Sequence, residues 1–409
     1  MNSRKVLLNR IMTSDIILFG AGDYARQFYR EFRDVVHLAG CISNNPSESV
    51  FSVDGVDVCP VIRVEDYIKK EIKGAFIICA SASSNDMESQ LWMLGLIQGE
   101  QFCSSEIARL ILTEKKIAIV YGVCYMRAIH DCLKESKSFL RDYQIYYSLS
   151  YMTRSAFEDS SLKFLISLCD LYLHNFSLSP DQRRKQQELI RFLSLDAKTI
   201  TVPIIQSSAL YPQAGDISQW TNPYGIVSSK TRWGPFTNPD HNINKYLEQG
   251  TKPETILKEI SRADYYDVEF LKSNYEKELI GIEISESGSD IIISDFIRNN
   301  CGKKRLFMNA SHISNEVIIE LAIRILRKLG MEEDIPRGEL LKHKLINSSE
   351  VPLYPSVIRG LELEVYFGDP LYRMFTFGEE EYVSFEEYVI RYCDFCSNMM
   401  RFKKMGYFP

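Results

Sequence analysis

The feature that most constrains the fold is a rhythm of short apolar runs, each ending in a turn and followed by a helical pattern. In the first hundred residues the apolar runs cover 15–19, 38–42 and 75–80, and helical spacing covers 24–32 and 64–72. Buried strands separated by helices pair in parallel through right-handed crossovers. The rhythm therefore predicts a small Rossmann-like unit.

The rhythm restarts after residue 112, which indicates a second α/β unit. The strand candidates are residues 117–121, 144–149, 171–173 and 199–205, and the helix candidates are 126–133, 162–169 and 181–193. Pro203 favours an edge strand or a strand end, because proline cannot donate a ladder hydrogen bond. We predict an α/β protein with a Rossmann-like parallel-sheet domain over 1–112 and a second α/β domain over 113–409.

The C-terminal part of the second domain is predicted to be largely helical. Helical spacing covers residues 253–261, 264–283, 289–299, 315–329 and 379–399. A short apolar run at 305–308 interrupts these segments. Residues 211–240 are rich in Pro, Gly, Asn and Ser and contain Trp220 and Trp233, so we predict an ordered functional loop there.

The composition and the charge of the chain disfavour several classes of function. The chain is 45% hydrophobic and 25% charged, as globular proteins are, and its net charge of −6 disfavours broad nucleic-acid binding. No apolar run reaches the length of about 20 residues that spans a bilayer, and no signal peptide is apparent. Ten scattered cysteines then indicate reduced thiols and a cytoplasmic protein. Cys393 and Cys396 form a single CxxC without a second ligand pair, so no metal site is predicted.

Gly20 and Gly22 flank an alanine between the first apolar run and the first helical pattern. Small residues allow the backbone to approach a ligand, and the helix N-terminus attracts phosphate. An NAD site requires an acidic residue at the end of the second strand, but residues 43–45 are a serine and two asparagines. Gly20 and Gly22 are therefore candidates for nucleotide-sugar binding, and a turn that serves packing alone is the alternative.

A cysteine follows the first apolar run of the second unit. Gly122 permits a sharp turn, Cys124 opens the next helix, and Arg127 lies one turn further, where it can reach an anion. The helix dipole favours a thiolate at Cys124, although a buried inert thiol is the alternative. His174 and Asn175 end another strand of this unit. Because ligands collect at the carboxyl ends of parallel strands, we expect them to share one rim with Gly122.

Polar residues also follow the apolar run at 305–308. His312 can act as a general base, because imidazole titrates near neutral pH. The competing interpretation is helix capping, in which Asn309, Ser311 or Ser314 bonds the start of the helix predicted from residue 315.

Taken together, these segments resemble the WcbI-type polysaccharide biosynthesis proteins over residues 117 to about 363. The family signature is a strand, then Gly-Asn-Cys-Gln, then a helix; here Gly122 and Cys124 match, and Val123 and Tyr125 replace the two amide residues. The remaining similar segments, in family order, are 171–176, 202–212, 295–297, 305–312 and 351–356. Residues 15–108 resemble the Rossmann-like domains of bacterial sugar acyltransferases, which bind nucleotide-sugars.

The resemblance implies an acyltransferase, with acetyl the expected acyl group, that uses acyl-CoA to modify a sugar hydroxyl in bacterial capsule or O-antigen biosynthesis. The acyl donor is coenzyme A thioester and the acceptor a sugar or polysaccharide. The candidate catalytic residues are Cys124, Asn309 and His312, and the candidate binding residues are Gly122, Arg127, His174 and Asn175, with Gly20 and Gly22 in the first domain. His312 would deprotonate the acceptor, while backbone N–H groups near Cys124, with Asn175 or Asn309, would stabilise the oxyanion.

Two alternatives remain from the sequence. A carbohydrate esterase shares the layout of a nucleophile at a strand–helix turn and a late histidine. A non-catalytic module that binds nucleotide-sugar during polysaccharide assembly is the other. Whether Cys124 carries the acyl group covalently is open, as is the oligomeric state, including a homo-oligomer.

Overall fold

The fold is known from a computed structural model, which describes residues 3–69, 74–113, 115–150, 155–177, 179–214, 236, 238–343, 345–346, 348–368, 370–376 and 379–404. Within these residues the chain forms two sheets of mainly parallel strands, two small hairpins and helices packed around them. The predicted α/β class is confirmed. Among the described helices, none combines the length and apolar character needed to cross a bilayer.

The first sheet has a Rossmann-like strand order. Its described strands are β1 (Ile16–Phe19), β2 (Leu38–Ser43), β3 (Val50–Val53), β4 (Val56–Arg63), β5 (Phe76–Cys79) and β6 (Phe102–Ser104), in the order β3-β4-β2-β1-β5-β6. Only β3 runs antiparallel to its neighbour. Five helices accompany them: α1 (Ser3–Thr13), α2 (Asp23–Phe32), α3 (Val64–Lys69), α4 (Ser84–Met93) and α5 (Ser105–Leu112). All residues of β1 and β5 are buried, which explains their unbroken apolar sequence.

The second sheet is entirely parallel in its described strands. These are β7 (Lys116–Gly122), β8 (Tyr143–Leu149), β9 (Leu171–Phe176) and β10 (Lys198–Pro203), in the order β10-β9-β7-β8. The accompanying helices are α6 (Cys124–Lys134), α7 (Lys137–Asp142), α8 (Ala156–Ser167) and α9 (Pro180–Ile190). All four predicted strands are present, and Pro203 is the last residue of the edge strand β10, as predicted.

The rest of the chain is mostly helical. Its helices are α10 (His241–Glu248), α11 (Pro253–Ile260), α12 (Val268–Glu286), α13 (Ser294–Asn300), α14 (Asn315–Leu329), α15 (Arg337–Leu340), α16 (Pro355–Gly360) and α17 (Phe385–Lys404). Two antiparallel hairpins interrupt them, formed by β11 (Phe307–Asn309) with β12 (His312–Ile313) and by β13 (Tyr372–Thr376) with β14 (Glu379–Val383).

One predicted helix begins later than the sequence indicated. Residues 379–399 have helical spacing, but the first five form β14, and the helix begins only at Phe385. The hydroxyl of Ser384 accepts the Glu387 N–H at 3.1 Å and so marks the helix start. Trp220, Trp233 and most of the loop predicted over 211–240 lie outside the described residues.

The two sheets share a hydrophobic core. Ile16 and Leu18 of β1 belong to the same buried cluster as Ile117 and Ile119 of β7, and α8 contributes Leu165. The opposite face of the second sheet packs against α6 and the helical C-terminal part. The predicted domain boundary near residue 113 falls between α5 and β7. It stays a prediction, although the buried cluster runs across it.

Candidate functional site

A buried carboxamide organises the carboxyl end of the second sheet. The Oδ1 atom of Asn175, at the end of β9, accepts the Val123 N–H at 2.8 Å, and its Nδ2 donates to the Tyr125 hydroxyl at 2.8 Å. The Tyr125 hydroxyl in turn donates to the Pro203 carbonyl at the end of β10. A Cβ at Gly122 would lie 2.2 Å from Asn175 Oδ1. Glycine is thus required here for close approach.

Cys124 is the first residue of α6 and sits on this rim. Its side chain is partly buried. Burial raises the pKa of the Cys124 thiol above its ordinary value, and the backbone N–H groups of Tyr125 and Cys124 lower it by less. The thiol is therefore protonated at neutral pH, and the predicted dipole activation of a thiolate is outweighed by desolvation.

Arg127 and His174 lie in different surroundings, although both were predicted to contact a cofactor. Arg127 is exposed on the first turn of α6 and has no hydrogen bond or ion pair with the described residues. His174 is buried, stacks on Tyr172 with ring centroids 4.9 Å apart, and directs Nδ1 to the Asn175 carbonyl at 3.0 Å. Alternation along β9 turns His174 away from Asn175, so His174 packs in the core and does not face the rim.

The hairpin of β11 and β12 carries a second polar cluster. Asn309 is fully buried, and its Nδ2 donates to the Ser348 hydroxyl at 3.0 Å and to the Ser349 carbonyl at 2.9 Å. Its Oδ1 accepts the Ser311 N–H at 3.0 Å and lies 3.2 Å from His312 Nδ1. A carbonyl can only accept and a backbone N–H can only donate, so these partners fix the orientation of the amide.

The cluster also fixes the tautomer of His312. Because Asn309 Oδ1 lies 3.2 Å from Nδ1 and can only accept, it favours the tautomer with the proton on Nδ1 and the lone pair on Nε2. No described residue hydrogen-bonds Nε2. Burial lowers the pKa of His312 below its ordinary value. The imidazole is therefore neutral at pH 7 and available as a base at Nε2.

The structure corrects two expectations about the asparagines. Both N–H bonds of the Asn175 and Asn309 carboxamides have partners inside the protein, so neither is placed as an oxyanion donor. Capping is also absent from this hairpin in the described structure: Ser314 is the N-cap of α14 but makes no side-chain cap bond. Asn309 instead positions His312.

Hydrogen bonds connect the two polar clusters. Beyond Pro203, the Ser207 N–H donates to the Ala310 carbonyl at 3.0 Å, which joins the chain after β10 to the β11–β12 turn. Ser207 lies four residues after Pro203, a span of at most about 14 Å. This short segment therefore joins the β11–β12 turn to the end of β10, which Tyr125 also contacts.

The packing of α6 and α14 places the clusters at the same end of two helices. The helices are in contact. Beyond their C-terminal ends, Asp334 Oδ2 accepts the Ser138 N–H at 2.8 Å and Oδ1 accepts the Ser136 hydroxyl at 2.5 Å. Since the C-terminal ends lie together, the helices run in the same direction. Cys124 is the first residue of α6, and His312 lies three residues before the first residue of α14.

The glycines of the first sheet serve a close strand contact. Gly20 has a φ of +115°, and a Cβ there would lie 2.6 Å from the Ala80 carbonyl oxygen at the end of β5. Gly22 is the N-cap of α2, where a Cβ would meet open space. Asp23 is the first residue of this helix, and its carboxylate opposes the approach of a phosphate. The geometry accounts for Gly20 through packing alone.

Three residues of this region have contacts that the sequence did not indicate: Ser348 was not singled out, Ser311 was named only as a helix cap, and Tyr125 only as a departure from the family signature. Tyr125 joins the ends of three strands, and Ser311 and Ser348 surround His312 Nδ1 at 3.1 and 3.4 Å. Ser348 lies 36 residues from His312, and no local pattern indicates this contact. Tyr125 occupies a position of the family signature where an amide residue is usual, which is the one signal that could have drawn attention to it.

Comparisons with known proteins agree with this fold. The family described as "Polysaccharide biosynthesis enzyme WcbI" matches residues 117–334, more than half of the chain. A solved structure of WcbI, a polysaccharide biosynthesis enzyme, has a similar fold, with a TM-score of 0.51 and 18% identity over 69% of this chain and 89% of that one. It is described as the native protein without a disulfide bond between coenzyme A and one of its cysteines. No curated protein sequence matches the chain. The chain belongs to the WcbI family of polysaccharide biosynthesis enzymes.

Proposed function

We propose that the protein transfers an acyl group, in particular acetyl, from coenzyme A to a sugar hydroxyl during polysaccharide biosynthesis. The observation that carries the proposal is the tautomer of His312: Asn309 holds Nδ1–H and leaves a neutral Nε2 as the base. A base of this kind suits a hydroxyl acceptor, whose proton must leave as its oxygen attacks the thioester.

The start of α6 supports the placement of coenzyme A. The N–H groups of Cys124 and Tyr125 belong to the first turn, where helix N–H groups have no carbonyl partner within the helix. Arg127 is exposed beside them and can meet a phosphate. The WcbI structure of similar fold is described with reference to coenzyme A and a cysteine. Cys124, in the Gly-x-Cys position of the signature, is the matching cysteine in our proposal.

The reaction then proceeds by direct transfer. The acceptor oxygen forms the new ester bond as its proton passes to His312 Nε2, and the thioester C–S bond breaks. The departing coenzyme A thiolate takes up the proton. The N–H groups at the start of α6 stabilise the oxyanion, since the amides of Asn175 and Asn309 are engaged elsewhere. Direct transfer is favoured over an acyl-cysteine because the Cys124 thiol is protonated at neutral pH.

Substitution of His312 tests the proposal. The purified protein is supplied with acetyl-CoA and UDP-N-acetylglucosamine, UDP-glucose or GDP-mannose, and release of free coenzyme A is followed. We expect acceptor-dependent release that falls by at least about 100-fold in His312→Ala. Stabilisation of the protein by acetyl-CoA in a thermal-shift assay should be unchanged, because His312 acts on the acceptor.

The matched control is His343→Ala, since His343 is an exposed histidine of the same region. It should retain full activity. A Cys124→Ser variant that keeps transferring separates the direct route from an acyl-cysteine. Full activity of His312→Ala would remove His312 from the mechanism, and release of acetate from an acetylated glycan without transfer would identify an esterase instead.

A further inference from the structure

A small cleft lies between residues 213–214, the start of α10, residues 351–354 and the start of α17. Its lining residues include Gln213, Asn238 and Asp240 and the aromatic rings of Phe385 and Tyr388. The empty space is about 330 Å³ including the open mouth, and the inner end has room for about one water-sized group. The cleft is thus shaped to take one small group of a larger ligand at its inner end.

Two buried carboxamides line this cleft without partners. Gln213 is 2% exposed and Asn238 is 4% exposed, yet among the described residues neither the oxygen nor the nitrogen of either side chain has a hydrogen bond. Buried polar atoms in proteins are paired with rare exceptions. Four unpaired atoms of two side chains in one cleft therefore indicate a partner that the described residues do not supply.

The chemistry of the lining favours a neutral polyhydroxyl ligand. Each carboxamide offers one acceptor and two donor N–H bonds, which matches hydroxyl groups that both donate and accept. The cleft residues include no lysine or arginine in the described part of the chain, and Asp240 would repel an anion, so a phosphate is disfavoured. Phe385, which is only partly buried, provides apolar surface for the C–H face of a sugar ring.

The cleft adjoins the hairpin that holds His312. The Val351 N–H, from the cleft wall, donates to the Met308 carbonyl in β11 at 2.8 Å. Tyr211, two residues before Gln213, donates its hydroxyl to the Phe307 carbonyl at 3.2 Å. The next residue of β11 after Met308 is Asn309, which positions His312. Both walls of the cleft are therefore hydrogen-bonded to β11, whose last residue, Asn309, contacts the proposed base His312.

We propose that this cleft is the acceptor subsite and binds a hexose ring, with one hydroxyl at its inner end between Gln213 and Asn238. The inference rests on the proposed function only where it names the bound sugar as the acceptor. Sugar binding itself requires no acyl transfer, so the two can fail separately.

Saturation-transfer NMR tests the inference with the full chain and no acyl donor. The probes are free glucose, galactose, mannose and N-acetylglucosamine, with glycerol as the reference for non-specific contact. We expect at least one hexose to give a signal above glycerol. Gln213→Met and Asn238→Leu should each weaken its binding by at least about tenfold, the factor for one net hydrogen bond.

The variants also separate a ligand site from a structural role. Because the carboxamides have no partners in the described structure, apolar residues of similar shape should leave the melting temperature unchanged or raise it. Gln187→Met, on the exposed face of α9, is the matched control and should bind the hexose like the wild type. Hexose signals no larger than those of glycerol, or equal binding in both cleft variants, would overturn the subsite.

Discussion

At the scale of single residues, two buried asparagines have roles that differ from those indicated by their positions in the sequence. Asn175 ends a strand and Asn309 precedes a helix, positions where ligand binding and helix capping are common. In the structure each asparagine side chain forms hydrogen bonds with neighbouring side chains and backbone groups. Asn175 shapes the rim beside Cys124, and Asn309 sets the tautomer of His312.

The rim built around Asn175 leads to a prediction about Gly122. In Gly122→Ala the new methyl group would lie 2.2 Å from Asn175 Oδ1 and 2.5 Å from Met126 Cγ. We expect a loss of about 2 to 3 kcal/mol in the free energy of unfolding, measured by urea denaturation, because a packed core resists an added methyl group.

Gly281→Ala is the matched control. Gly281 lies inside α12, and a Cβ there would meet no atom within 4 Å. Alanine should stabilise this helix by about 0.5 to 1 kcal/mol. If Gly122→Ala were as stable as the wild type, the rim would be loosely packed and Asn175 could not be the residue that shapes it.

At the scale of elements, burial decides what the sequence could predict. Runs buried on both faces, such as those of β1, β5 and β7, are continuous apolar stretches and were predicted. The helix at 315–329 was predicted with the limits of α14 because its apolar face is regular. In contrast, β4 alternates exposed and buried residues and contains Pro60, and it was missed.

The candidate site also has parts that the sequence could predict and parts that it could not. The strand–glycine–cysteine–helix turn is local, so the sequence placed Cys124 at a helix start. The contacts of His312 with Ser348 and of Asn309 with Ser349 join segments 36 and 40 residues apart, and no short-range pattern encodes them. The unpaired Gln213 and Asn238 can be recognised only once burial is known.

The parallel arrangement of α6 and α14 gives a prediction for Asp334. This carboxylate accepts hydrogen bonds from the Ser136 hydroxyl and the Ser138 N–H and so ties the ends of the two helices together. Burial raises the pKa of Asp334, but the hydrogen bonds lower it by more, and the net pKa lies below its ordinary value. We expect Asp334→Asn to reduce the free energy of unfolding by about 1 to 2 kcal/mol at pH 7.

The pH dependence follows from the lowered pKa of Asp334. A carboxyl group with a lower pKa in the folded state stabilises the fold above its unfolded pKa, about 3.9, and loses this contribution as the pH falls through its folded pKa. The difference between wild type and Asp334→Asn should therefore shrink below about pH 4. Glu333→Gln, which affects only an exposed ion pair with Arg327, is the control and should change little. A constant difference from pH 3 to 7 would contradict the role of the charge.

At the scale of the whole molecule, the two α/β halves are joined through a common core. Side chains of β1 and β7 lie in one buried cluster, and Leu165 of α8 belongs to the same cluster. Polar contacts add to this junction: Arg4 pairs with Asp170 at 2.8 Å, and Gln98 donates to the Ser161 hydroxyl at 3.0 Å. Separate folding units would leave this apolar surface exposed in each half, so the halves should unfold together.

Hydrogen exchange at increasing urea tests this cooperativity. The amides of β1 and β5 in the first sheet should open with the same free energy as those of β7 and β9 in the second. Leu165→Ala, which removes a side chain that is 4% exposed, should lower protection in both sheets equally, by about 2 to 4 kcal/mol. Leu195→Ala, at a fully exposed leucine, should lower protection in neither sheet. Earlier exchange of β1 and β5 than of β7 and β9 would instead assign each sheet its own folding unit, and the contacts of α8 would then be a docking interface between two domains.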